Sequence, residues 1–166
     1  MRVLGIDPGS RVTGWGVIAT APALRCVDGG IIRPEPDLPL PARLAVIHAA
    51  VAEVLARHAP QAMVVENLFN ARNAHSSLVL GHARGVILLA GAQAGLEVAE
   101  YAPGEIKRAL TGNGQATKEQ VRFMVMRLLG LRDAPPLDQS DALAAAVAHA
   151  SRCRVPRAAA AGKEAS

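Results

Sequence analysis

Residues 2–20, RVLGIDPGSRVTGWGVIAT, decide how the chain folds. A short apolar run ends on Asp7, Pro8-Gly9-Ser10 turns the chain, and a second run rich in Val, Ile, Thr and Trp follows. Turn residues between two β-favouring runs predict strands over 2–7 and 13–20. Working outward, RCVDGGIIR (25–33) predicts a third strand, with a bulge at Gly29-Gly30. Prolines crowd 34–41, which reads as a connecting loop. Leu44, Ile47, Val51, Val54 and Leu55 then recur at helical spacing over 41–58, and Pro60 stops the run. AMVVE (62–66) has the unbroken apolar character of a strand buried in a parallel sheet. Helices are predicted over 75–94, 103–111, 118–129 and 138–152, and a further strand over 96–101. Thr117 and Gln120 have capping-box spacing, which puts Lys118 at a helix N-terminus. Three strands in a meander followed by alternating helix and strand predict an α/β domain whose mixed sheet is flanked by helices.

The 166 residues suffice for one domain with a short tail, and at 51% hydrophobic and 19% charged they can bury a sizeable core. Aromatic residues make up 2%, namely Trp15, Phe69, Tyr101 and Phe123, which disfavours a nucleic-acid binder built on rows of stacking rings. No apolar run reaches the ~18 residues of a membrane span. MRVLGIDPGS does not have the pattern of a secretion signal. Cys26 and Cys153 lack metal-ligand spacing and cannot form a disulfide framework. A reduced, cytoplasmic protein is expected, with a domain over 1–152 and a basic, disordered tail over 153–166. Net charge is +4 and is concentrated late in the chain: residues 101–132 carry a local +4 and the last sixteen residues +3. A basic sector suits a polyanion partner, although solvated helix surfaces and a solubilising tail give the same counts. Gly81, Ala83, Gly85, Ala90, Gly91 and Ala92 give the 75–94 helix a small-residue face for close packing on the sheet or on a second subunit.

Four carboxylates stand where burial makes them expensive. Asp7 ends the first strand and Glu66 the apolar strand, while Asp138 and Asp141 lie at i and i+3 at the start of the last helix, on one face. If strands 2–7 and 62–66 are adjacent and parallel, Asp7 and Glu66 emerge at one edge, where open α/β sheets form their active sites. Converging carboxylates raise one another's pKa values, and a divalent cation neutralises them. All-oxygen ligands favour Mg²⁺ or Mn²⁺, and two such ions ~3.5–4 Å apart promote phosphodiester hydrolysis. The spacing also allows Asp138 to be a helix cap and Asp7 a turn residue.

GIDPGSRVTGWGV (5–17), VVENLFNARN (64–73), GHARGV (81–86) and DQSDALAAAVAH (138–149) resemble, in order, the RuvC family of bacterial Holliday-junction resolvases. The resemblance implies a ribonuclease-H-like fold with a mixed five-stranded sheet. It also implies a crossover junction endodeoxyribonuclease that acts as a homodimer and nicks opposed strands of a four-way DNA junction in recombination and repair. Two Mg²⁺ per subunit (Mn²⁺ substituting) and the partners RuvA and RuvB are implied with it. Carried over by position, the acidic quartet falls on Asp7, Glu66, Asp138 and Asp141, with Lys107 as a further catalytic group. Phe69, Arg72, Asn73, Lys107 and Lys118 fall among the residues expected to contact DNA. Two other readings share part of this pattern, a ribonuclease H cutting RNA–DNA hybrids and a catalytically inactive junction-binding module. An actin- or sugar-kinase-like ATPase needs a second glycine-rich phosphate loop and roughly twice this length.

Overall fold

The computed structural model describes residues 1–67 and 73–154, apart from the side chain of residue 154. Strands β1 (Arg2–Asp7), β2 (Thr13–Ala19), β3 (Arg25–Ile32), β4 (Ala62–Glu66) and β5 (Val98–Tyr101) form one mixed sheet ordered β3-β2-β1-β4-β5. The first three make the antiparallel meander, and β4 and β5 run parallel to β1. Helices α1 (Leu40–His58) and α2 (Ala74–Gln93) cover one face, and α3 (Pro103–Thr111), α4 (Lys118–Leu129) and α5 (Leu137–Arg154) the other.

Strand alternation divides the core into two layers. Leu4, Ile6, Val17, Met63 and Val65 pack with Ile47, Val51, Ala83 and Ile87 of α1 and α2. Val3, Ile18 and Val64, on the other face, pack with the buried residues of α3, α4 and α5. Each fully buried aliphatic side chain contributes about 1.5–3 kcal/mol relative to exposure. On the same face, β1 continues from Val3 through Gly5 to Asp7, and β4 from Val64 to Glu66.

Helix α5 sits on the sheet almost backbone to backbone. A Cβ at Gly5 would stand 2.0 Å from the Ala142 carbonyl oxygen, and one at Gly14 would stand 1.9 Å from that of Asp138. Ala142, Ala144, Ala145 and Ala146 are fully buried. The seating of α5 therefore depends on small residues on both sides of the contact. At α4 the expected capping box is present: Thr117 Oγ1 accepts the Gln120 N–H and Gln120 Oε1 accepts the Thr117 N–H.

Three sequence expectations need adjustment. The β2–β3 irregularity lies at Val27, which is left over when Val17 pairs with Asp28 and Ile18 with Cys26. Gly29 and Gly30 stay in register, and they are small for packing reasons: a Cβ at Gly29 would meet Gln139 Nε2 at 2.7 Å, and one at Gly30 the Trp15 indole at 3.3 Å. Strand β5 begins at Val98 because the Leu96 N–H is held by the Gly91 carbonyl in the turn closing α2. The last helix continues to Arg154, two residues into the segment expected to be tail; 155–166 lie outside the described residues. The small residues of α2 divide between two faces. Ala83, Ala90 and Gly91 are buried, whereas Gly81 and Gly85 face outward with nothing within 4 Å of an added Cβ. No described helix is long and apolar enough to cross a membrane, and Cys26 and Cys153 are both free.

Candidate active site

The site is assembled at the edge where β1 and β4 end. Their parallel register pairs Ile6 with Val65, so Asp7 and Glu66 follow on neighbouring strands, and Glu66 is in turn paired with Tyr101 of β5. The first turn of α5 crosses the same edge, carrying Asp138 and Asp141, because Gly14 admits the Asp138 carbonyl. Helices α3 and α4 close the other side and bring in Lys107 and Lys118. Asp7, Glu66, Asp141, Lys107 and Lys118 together line a cavity of about 230 Å³ whose apolar wall includes Ile106, Val121 and Ala144. Asp138 does not line this cavity, but its charge acts on Asp7.

The charges in this cavity are strongly coupled. Burial, reinforced by the negative charges of Glu66, Asp141 and Asp138, pushes the Asp7 carboxyl up to about 8 from its ordinary 3.8, against the opposing pull of Lys118. Burial and then Asp141 raise Glu66 to about 7, opposed by Lys118 and Lys107. Lys118 Nζ donates to Asp141 Oδ2 at 2.9 Å, and this bond holds its ammonium above the usual lysine range. Ser140, between the two aspartates of α5, is 1% exposed, which removes it as a nucleophile.

A carboxyl whose folded pKa lies above its unfolded one binds more protons in the native state across the interval between the two values. Stability therefore falls as pH rises through that interval. In EDTA the thermal midpoint is expected to drop from pH 5 to pH 9 because of Asp7 and Glu66, and a divalent metal should restore much of the loss at the upper end. Thermal scans across that range, with and without metal, check this; a midpoint that rises steadily to pH 9 in EDTA would contradict the shifts.

Among the described residues, no three His, Cys, Asp or Glu side chains are placed to hold a metal ion together. What fits a metal is the donor chemistry. The groups are all carboxylate oxygens, which select hard cations, and two of them are driven towards their neutral forms by burial first and then by the neighbouring carboxylates, a charge that a divalent ion offsets. Asn73 Oδ1 accepts the Ser76 N–H at 2.8 Å and caps α2. Phe69 and Arg72 lie outside the described residues. Sequence reasoning missed Gly5 and Gly14, although small residues inside strands, opposite the alanine-rich last helix, are a legible sign of close approach.

A mixed sheet ordered 3-2-1-4-5, with two parallel strands ending in carboxylates and a helix crossing their ends, places the chain among proteins of ribonuclease-H-like fold. The family model for crossover junction endodeoxyribonuclease RuvC matches residues 3–149, and the chain belongs to the RuvC family. The crossover junction endodeoxyribonuclease RuvC of Alkalilimnicola ehrlichii is 53% identical over 149 residues, 89% of this chain and 90% of that protein. Its counterpart in Halorhodospira halophila is 50% identical over 155 residues, 93% of each chain. T. thermophilus RuvC, solved in complex with Holliday junction substrate, superposes with a TM-score of 0.88 at 42% identity, covering 93% of this chain and 95% of that one. Nucleases of this family are divalent-metal dependent.

Proposed function

We propose that this chain is a structure-specific endonuclease that resolves four-way DNA junctions by paired nicks, in homologous recombination and DNA repair in the bacterial cytoplasm. The observation that carries the reading is the shared cavity: two strand-end carboxylates and one helix carboxylate face two lysines at the edge of a RuvC-family sheet. That arrangement supports hydrolysis of a phosphodiester over simple binding, because a surface built only to hold DNA gains nothing from buried acids that repel phosphate. The T. thermophilus relative solved with its junction supports the four-way substrate over an RNA–DNA hybrid.

Asp7, Glu66, Asp138 and Asp141 would hold Mg²⁺, two ions per subunit with Mn²⁺ able to substitute, and these ions activate water and stabilise the departing oxygen when bound. Lys107 and Lys118 stand on the opposite wall, where a cation offsets the negative charge that builds on the scissile phosphate. Lys118 sits at the first position of α4, so the helix dipole adds to its own charge. Phe69, Arg72 and Asn73 complete the DNA contacts on the segment between β4 and α2; the ring of Phe69 would stack where bases unpair. A homodimer places two such centres on opposed strands. An outward stripe on α2 supports it: Leu78 is 62% and Leu89 50% exposed beside Gly81 and Gly85, along a groove of about 730 Å³. RuvA and RuvB are the partners that would deliver the junction.

Cleavage of a synthetic four-way junction, beside a linear duplex and an RNA–DNA hybrid, tests the function. Paired symmetric nicks in the junction alone are expected with Mg²⁺ or Mn²⁺ and none in EDTA. Cutting of the hybrid alone would reassign the substrate, and tight junction binding without any cutting would leave a binding module.

A further inference from the structure

We infer that Thr13 is a positioning residue for the strand-end carboxylate Asp7, acting through a two-bond clamp on the turn that follows it; the inference rests on the proposed nuclease reading. Thr13 opens β2 and is fully buried, one of three polar or charged side chains buried among the described residues, with His58 and Ser140. Burying a hydroxyl costs free energy unless it is hydrogen-bonded. The Thr13 hydroxyl is bonded in both directions by one residue: Oγ1 donates to the Gly9 carbonyl at 2.7 Å and accepts the Gly9 N–H at 3.3 Å. The Thr111 hydroxyl makes a comparable two-way contact with Asn113, but at the end of α3 and not beside a strand-end carboxylate.

The loop so closed is short and tightly filled. Gly9 packs so closely that a Cβ there would stand 2.0 Å from the Val12 carbonyl oxygen. Pro8, between Asp7 and Gly9, is buried and holds φ near its fixed value. Asp7 is therefore held on both sides. On one it is the last ladder residue, paired with Gly14 across β1 and β2, and on the other it enters a turn pinned to the residue preceding that same Gly14. Gly14 is in turn the point where the Asp138 carbonyl rests. One buried hydroxyl thus ties the turn after Asp7 to the strand that seats the first turn of α5.

A clamp of this kind fixes the direction in which a carboxylate leaves its strand, and misplacement by about 1 Å can cost on the order of 10²-fold in rate. The expected signature is a loss in kcat without a matching change in substrate affinity. Thr13→Val keeps the shape and removes both bonds. It should lower kcat for junction nicking by roughly 10–100-fold while KM and junction binding in EDTA stay unchanged, and it should weaken Mn²⁺ binding read directly by electron paramagnetic resonance. Thr13→Ser keeps the hydroxyl and should retain most of kcat and of Mn²⁺ affinity. Should T13V fail to fold, T13S against T13A isolates the hydroxyl at nearly constant volume, and the Gly9 amide should exchange with solvent faster in T13A. Equal kcat and equal Mn²⁺ affinity in T13S and T13A, or a folded T13V with wild-type kcat, overturns the inference. In either event nicking by the unmodified protein shows that the nuclease reading itself stands, and its absence would show that the reading failed first.

Discussion

Asp7→Asn is expected to abolish strand cleavage, by roughly 10²–10³-fold or more, the scale on which removal of a group acting directly on the reacting charge is felt. Junction binding should survive, because the substitution removes an acidic ligand and no positive charge facing DNA. Gel-shift and single-turnover nicking assays on the same preparation separate the two. Stability should not suffer. Burial and three acidic neighbours already push the Asp7 carboxyl up to about 8, so near neutral pH the fold holds much of it protonated, and a neutral amide of the same shape replaces it at little cost. Above pH 8 the variant is expected to melt at a higher temperature than the parent in EDTA. Cutting at the parental rate would remove Asp7 from the metal set. Loss of binding by a folded variant would instead make it a DNA contact.

The second large effect is expected at a residue with no side chain. Gly14→Ala places a methyl group 1.9 Å from the Asp138 carbonyl oxygen and 2.3 Å from its carbon, both backbone atoms of the helix start. Neither can move aside by rotating a side chain, so α5 must shift as a unit and carry Asp138 and Asp141 with it. A loss of about 1–3 kcal/mol is expected from the overpacking. A fall in cleavage on the order of 10²-fold is expected from the displaced carboxylates. Gly16→Ala is the internal control. Its new methyl meets Leu143 Cδ2 at 2.5 Å and Cγ at 2.6 Å, the nearest backbone atom being at 3.5 Å, and Leu143 can change rotamer. Urea unfolding and nicking rates for the pair should therefore separate; equal losses at the two positions would show that the seating of α5 does not set the site.

These two residues also mark what the sequence discloses. Asp7 and Glu66 were legible because an acid ending an apolar strand has no ordinary reason to be there, and the parallel pairing that joins them follows from the βαβ order. Strand alternation placed both on the α5 face, a step available from Val3, Gly5 and Val64 once the partner helix is known and not before. The contact of Lys118 with Asp141 spans 23 residues and two helices, and no local pattern encodes it. Gly5 and Gly14 carry no chemistry of their own, so a search for reactive side chains passes over them. Asn73 has a local role beside the DNA contact expected of it: its side-chain oxygen accepts the Ser76 N–H and caps α2.

The alanine run of α5 and the glycines beneath it have one more consequence, for how this protein can change over time. A catalytic loop at the rim of a scaffold can drift, lengthen and be retuned while the scaffold stays put. Here the segment bearing half of the acidic quartet is itself the central beam of the core, with Ala142, Ala144, Ala145 and Ala146 fully buried. Adaptation of the acidic centre by reshaping that segment would loosen the whole molecule, so variation is channelled to the opposite layer and to the outer surfaces.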